Sequence, residues 1–456
     1  MPRPSPDAIR VEPLGGAAAE AIGLTPPPPP DVRHVPNGEA AKMLEHEAWS
    51  EVTPGDGRSH GGFGAAVAMP EDFAATSGQF LMDYNGAGDP ARLTYIQRMA
   101  EIGRAEGFNV VVTVPSEAVA DQLRAATGDA ENVIPMIGEG YAWPEDSLHF
   151  YTDGRAVVPR DHDYRAMTLP IMSGRVERFV GAVPDDPKQS FAAHPVLHYA
   201  GSGMTIKEGA AEPSAAAVAA LGGEARRGTT FVEGGNIING MRDGRPYAVV
   251  GADALARNKE LLGTDEAGVR AAMAKDLGVA PEDLHFVEQP ADFHLDVAMA
   301  PWGEGQMLLN DARAAAEAQI QAQGLDPGSA EAQRIRTEGA RRSVLEARTA
   351  EELKAAGFEV IRVPGRFVGF DSRGRSLDVA NFMNGEAGSN THGEAYFITQ
   401  RGPRAFEDAF LTSLPQDVPV RVYFAMPDAA ARSLLAGGGA ANCTIKRLPD
   451  GWGHLR

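Results

Sequence analysis

The apolar positions of this chain fall into alternating stretches of two periods. Asp89-Pro90 pairs a capping acid with proline at the first helical position. Leu93, Ile96, Met99 and Ile102 then recur at three- and four-residue spacing, one face of a helix. Gly107 predicts its end, and Phe108 to Val114 reads as a buried strand. Ser116 opens a second helix through Ala126, and Asn132 to Ile137 gives a second strand. Leu148 to Tyr151, Asp153-Gly154 and Ala156 to Val158 predict a hairpin. The helix–glycine–strand unit returns at Glu351 to Pro364, broken at Gly357 before Phe358 to Val363. Val418 to Phe424, Pro427 to Leu435 and Cys443 to Leu448 predict strand, helix and strand. The units recur without a detectable sequence repeat, and the expected class is α/β.

Three stretches interrupt this pattern. Residues 1–70 form a Pro/Gly-rich N-terminal segment, and the unbroken run Pro26 to Pro30 favours extended polyproline II and cannot enter a helix. The expected reading is a flexible tail, with a partner-binding or export role left open. Residues 71–456 form the folded domain, with excursions near 201–228 and 304–350. The first is rich in Ala, Gly and Glu. The second reads as two helices broken near Gly324 to Gly328. Either is surface decoration or a lid or partner surface.

Composition narrows the function. At 456 residues the chain exceeds an ordinary single core unless the fold is a large closed one. Its formal net charge of −20 argues against nucleic acid and anionic membranes, which reward Lys and Arg. It suits a cationic small molecule or a basic peptide. No segment approaches the roughly 20 apolar residues of a membrane span. Met1 to Asp7 carries no apolar stretch of a conventional signal peptide. The chain has a single cysteine, Cys443, so no internal disulfide is possible, and a reducing, cytoplasmic setting is expected.

That cysteine follows Gly437 to Gly439 and is either a small buried hydrophobe or a nucleophile. Three other polar groupings bear on the choice. In His294-Leu295-Asp296, downstream of the strand-like Leu284 to Val287, residues i and i+2 of an extended chain would face one cavity. In Glu233-Gly234-Gly235-Asn236, the paired glycines allow a sharp bend and a close approach, with Glu233 at the mouth of a predicted strand, Thr229 to Val232. Trp143-Pro144-Glu145-Asp146 precedes another strand. Each alone is an ordinary polar turn. Together they supply a thiol, an imidazole and three carboxylates, a set suited to holding and attacking a planar cation.

In order and placement these motifs resemble the guanidino-group-modifying enzymes of the pentein superfamily: arginine, agmatine and peptidyl-arginine deiminases. The resemblance covers roughly residues 78–456 and rests on short motifs. It implies a propeller of five pseudo-symmetric ββαβ-type units around a central site. It implies Trp143 and Asp146 as the aromatic and the acid that grip the guanidinium, and Asp296 as a second guanidinium carboxylate. Glu233 would support the histidine, His294 would be the general acid/base and Cys443 the nucleophile. Asp378 to Phe382 resembles the segment before the last unit. Agmatine deiminases carry Arg before the first Asp and Gly-Pro after it, where this chain has Glu145 and Ser147. They carry His before the Cys, where this chain has Asn442.

The implied reaction converts an arginine-type guanidino group to a ureido group with release of ammonia, through a covalent thiouronium. No cofactor or metal is expected. The partner is a small guanidino substrate or a protein arginine side chain, with homo-oligomerisation left open. The alternatives are amidino transfer to a second amine, or a non-catalytic binding protein of the same fold. A cysteine protease also uses Cys and His, but has no need of three acids around one cationic site.

Overall fold

Asp89 caps the first long helix as its sequence predicts: its side chain accepts from the Arg92 backbone at 2.9 Å, and the helix runs Pro90–Glu106 (α1). It stops at Gly107, whose φ of 84° is strained for any residue with a side chain. In this computed structural model the described residues are 33–34, 67–75, 78–86, 89–138, 144–158, 211–290, 294–370, 376–416, 419–427, 430–431, 435 and 440–449. The proline run, Trp143 and the glycines before Cys443 lie outside them. So does most of the expected Pro427 to Leu435 helix.

The strands form several small mixed sheets. Gln79–Asp83 (β2), Asn109–Val114 (β3) and Val133–Ile137 (β4) are parallel, with Arg33–His34 (β1) at one edge and α1 and Glu117–Thr127 (α2) as crossovers. Next come Pro144–Ser147 (α3), His149–Phe150 (β5), Arg155–Val158 (β6), Ala211–Ala220 (α4) and Glu224–Arg227 (β7). Ile237–Arg242 (β8), Arg245–Gly251 (β9), Ala252–Leu262 (α5), Glu266–Leu277 (α6) and Leu284–Val287 (β10) follow. After them lie Met299–Pro301 (β11), Gln306–Asn310 (β12), Ala312–Ala322 (α7), Ala330–Ala355 (α8) and Glu359–Val363 (β13). The chain continues through Arg366–Phe370 (β14), paired antiparallel with Ser376–Asn381 (β15), then Glu386–Ser389 (β16) and Ala395–Gln400 (β17). Arg404–Ser413 (α9), Val420–Met426 (β18) and Lys446–Leu448 (β19) complete the order.

One arrangement recurs. In β5–β6–β7, β8–β9–β10, β11–β12–β13 and β16–β17–β18 the first pair is antiparallel and the second parallel. A parallel pair cannot be joined by a tight turn, so a helix intervenes in each. The first sheet has the same pattern only because β19, from the far end of the chain, pairs antiparallel with β2. Residues 304–350 thus hold β12 of the fourth sheet, α7 and most of α8.

The apolar interior is divided into several clusters between helices and sheets. One holds Phe80, Tyr95, Met99, Val110 and Val112, between the first sheet and α1. Another gathers Trp302, Leu308, Phe367, Phe382, Phe397 and Phe410. Trp302 is fully buried and meets Phe73 and Phe397 edge-on, at ring-centre distances of 5.0 and 5.5 Å. Trp302→Ala is therefore expected to cost about 3–5 kcal/mol of stability, read from urea unfolding. A loss below about 1 kcal/mol would show that this cluster does not hold the β11–β13 and β16–β18 sheets together. Among the described residues no helix is long and apolar enough to cross a membrane.

Candidate active site

The site is built around the two glycines after Glu233. Gly234 to Asn236 form a 3-10 turn that leads into β8. A Cβ on Gly234 would run into the carbonyl oxygen of Glu145, and one on Gly235 into Nδ1 of His294. Only glycine lets α3 and the His294 loop come this close. The turn also binds both neighbours. The Gly235 amide donates to Asp146 Oδ1 at 3.3 Å, and its carbonyl accepts from the Asp296 amide at 3.0 Å.

The chemistry-bearing side chains converge on this turn. His294 Nε2 lies 3.0 Å from Glu233 Oε2, and Nδ1 lies 3.8 Å from Asp146 Oδ1. Cys443 sits in a second 3-10 turn, Asn442–Thr444, with Sγ 3.3 Å from Asp296 Oδ2. Asn384 holds the cysteine from the other side. Its Nδ2 donates to Sγ at 3.2 Å and its Oδ1 accepts from the Cys443 amide at 3.3 Å. Asp146, Glu233, His294, Asp296 and Cys443 are each no more than 6% exposed. The sequence-predicted set therefore meets in one buried cluster, Trp143 aside, which lies outside the described residues.

The local conformations differ from those expected. Residues 229–232 are not a strand; Glu233 instead precedes β8, because the strand begins only once the glycine turn has reversed the chain. His294 and Asp296 lie in a loop and turn after β10, not on an extended stretch, and the Gly235–Asp296 hydrogen bond sets their placement. Cys443 is in a turn, with the strand starting at Lys446. Asp146 is on the four-residue helix α3.

Sequence reasoning also missed a layer of buried charge beside this cluster. Lys446 Nζ donates to Glu71 at 2.8 Å and to Glu145 at 2.9 Å. Arg447 pairs with Glu386 at 2.7 Å, and Asn442 Nδ2 donates to the same Glu386 at 2.7 Å. Both cations are 1% exposed. Strand alternation would turn one of two adjacent residues to solvent, so no periodic signal could have found the pair. Asn384 gave no signal beyond its proximity to the Asp378 to Phe382 segment.

Burial sets the ionisation of the site. It raises Asp146 to about 6, with His294 opposing the rise. It raises Asp296 to about 7, again against His294. At His294 burial works against the charged ring, but Asp146, Glu233 and Asp296 outweigh it and lift the group to about 9. Burial, reinforced by Asp296 and Asp146, pushes the Cys443 thiol well above its ordinary range. At neutral pH the site holds an imidazolium and a thiol, with Asp146 mostly ionised and Asp296 near the middle of its titration.

No protein-family model matches the sequence, and no curated protein does. The fold does have a solved counterpart. A crystal structure provisionally named an agmatine deiminase superposes on the chain with a TM-score of 0.50 at 14% identity, covering 84% of this chain and 95% of that one. The likeness is one of fold.

Proposed function

We propose that this chain is a cysteine-dependent hydrolase of a guanidino group, with residues 71–456 arranged as five ββαβ-type units of the pentein kind about a central site. The recurring sheet pattern and the solved counterpart support the fold. The observation that carries the chemistry is the thiol of Cys443 enclosed with three carboxylates and one imidazole. A planar guanidinium satisfies such a site through parallel charge-assisted hydrogen bonds. Asp146 and Asp296 are the proposed clamps, with Trp143 beside them. A single buried thiol suits a reducing compartment such as the cytoplasm.

In the proposed reaction the arriving cation stabilises the thiolate of Cys443, whose proton leaves to solvent. The thiolate attacks the guanidinium carbon, forming the C–S bond. The C–N bond breaks as His294, held by Glu233, gives its proton to departing ammonia, and a thiouronium remains. The neutral imidazole then takes a proton from water, whose oxygen adds to the same carbon. The C–S bond breaks, thiolate returns, and the second water proton leaves with ammonia as ammonium. The sum is guanidinium plus water to ureido product plus ammonium.

Arginine, agmatine, a methylarginine and an arginyl peptide should be incubated with the protein, measuring ureido product and ammonia. One of them is expected to give both in equal amounts with no added amine acceptor. Turnover only with an added amine would mean amidino transfer. With that substrate, His294→Ala is expected to lower ureido formation by at least about a hundredfold, because departing ammonia loses its acid and water loses its base. Absence of ureido product from every substrate would sink the reading.

A further inference from the structure

Asp146 stands on a helix of four residues, too short to hold its own shape. Beside the hydrogen bond from Ser214 Oγ to Ser147 Oγ at 2.6 Å, two contacts fix it. One is the Gly235 amide on Asp146 Oδ1. The other reaches its neighbour Glu145, whose carboxylate takes a hydrogen bond from Lys446 Nζ at 2.9 Å. Lys446 opens β19, three residues after the nucleophile, and its Nζ also binds Glu71 on the segment before β2. Glu145 and Lys446 are 4% and 1% exposed, so the pair is shielded from water and salt.

We infer that Lys446 is a positioning residue, whose buried ion pair with Glu145 ties α3 to the strand beginning behind Cys443 and so sets the aim of Asp146 at His294. The inference rests on Asp146 and His294 acting in the proposed reaction, though the tie itself can be measured without any substrate. The ordinary alternative is a buried ion pair that contributes only to stability. Such pairs often contribute little to it, while breaking one by removing a single partner is costly.

The charged groups facing Asp146 are His294, Glu233 and Lys446. Those facing His294 are Asp146, Glu233 and Asp296, and all three favour the imidazolium. His294 is therefore a reporter of where Asp146 points. If α3 loses its tie, Asp146 loses its aim and the imidazolium loses one of its supports. A purely structural pair would leave the titration of His294 alone.

The experiment is an 15N NMR titration of the His294 ring, assigned by its disappearance in His294→Ala, in the full-length protein. Lys446→Met removes the cation. Glu145→Ala removes the tie from the helix side and leaves Lys446 paired with Glu71, so no buried cation is abandoned. Both are expected to lower the His294 midpoint from about 9 by about one unit or more. Glu145→Gln, whose amide oxygen still accepts from Lys446, is expected to stay near the parent. With a guanidino substrate, kcat/KM should follow the same order, with about tenfold losses for the first two variants. Folded Lys446→Met or Glu145→Ala with the parent His294 midpoint would overturn the inference. Loss of the fold in both would also overturn it, in favour of a structural pair. If the parent turns over no guanidino compound, the function proposed above fails, while the NMR arm still decides the role of Lys446.

Discussion

Cys443→Ser is expected to lower turnover of the guanidino substrate by at least about a thousandfold while leaving the fold intact. The hydroxyl has nearly the thiol's shape, so the hydrogen bond from Asn384 and the contact with Asp296 can be kept. What is lost is the nucleophile. A thiol can become thiolate when a cation arrives, whereas an alcohol beside three carboxylates cannot shed its proton. Because the chain has no other cysteine, intact mass after mixing with substrate shows directly whether an adduct forms. The parent should show one and Cys443→Ser none. Ammonia release by Cys443→Ser at the parent rate would place the chemistry elsewhere.

Asp296→Asn is expected to act on both rate and pH profile. A charge-assisted hydrogen bond contributes about 1.5–3 kcal/mol, so kcat/KM should fall by roughly ten- to a hundredfold. The profile of the parent follows from the direction of each shift. Activity needs Asp146 and Asp296 deprotonated, so kcat/KM should rise with pH through about 6 and about 7. It needs His294 protonated, so it should fall above about 9. The result is a bell whose limbs belong to the coupled group of ionisations. Asn at 296 cannot titrate. The acid limb should therefore move down towards the value near 6 that Asp146 sets. Asp146→Asn should remove the lower step and leave the one near 7. Kinetic constants within about twofold of the parent in both variants would mean that neither carboxylate holds the substrate's charge.

What could be read from the sequence was what local forces decide. The start of α1 at Asp89-Pro90 and its end at Gly107 depend on caps within one turn of the helix. The break between α7 and α8 lies at Gly324 to Gly328, where expected. The chemical types of the candidate site could be read as well, since a lone cysteine, an H-x-D and an E-G-G, each ordinary alone, stand out when they occur together in this order. The conformations carrying them could not. His294 and Asp296 are placed by a hydrogen bond to Gly235, about sixty residues earlier in the chain. Asn384, Glu145, Lys446 and Glu386 were missed for a related reason. Each is defined by a partner distant in sequence, and a buried charge in a short strand leaves no periodicity to detect. Three unlike neighbours of the motifs, Glu145, Ser147 and Asn442, marked this region as unusual, and the first and last engage Lys446 and Glu386.

The sheet joining β19 to β2 has a bearing on how activity arises. Lys446 lies opposite Leu81, a pairing across nearly the whole described chain. Contacts so distant in sequence form late, because a long loop must close before they contribute. Asp146, Glu233, His294 and Asp296 all precede the turn that brings the thiol. A nascent or partly refolded molecule can thus assemble its acids and imidazole while still lacking a nucleophile in reach. The Cys443 turn is delivered by the same closure that completes the first sheet, so the buried cluster is whole only when that sheet is.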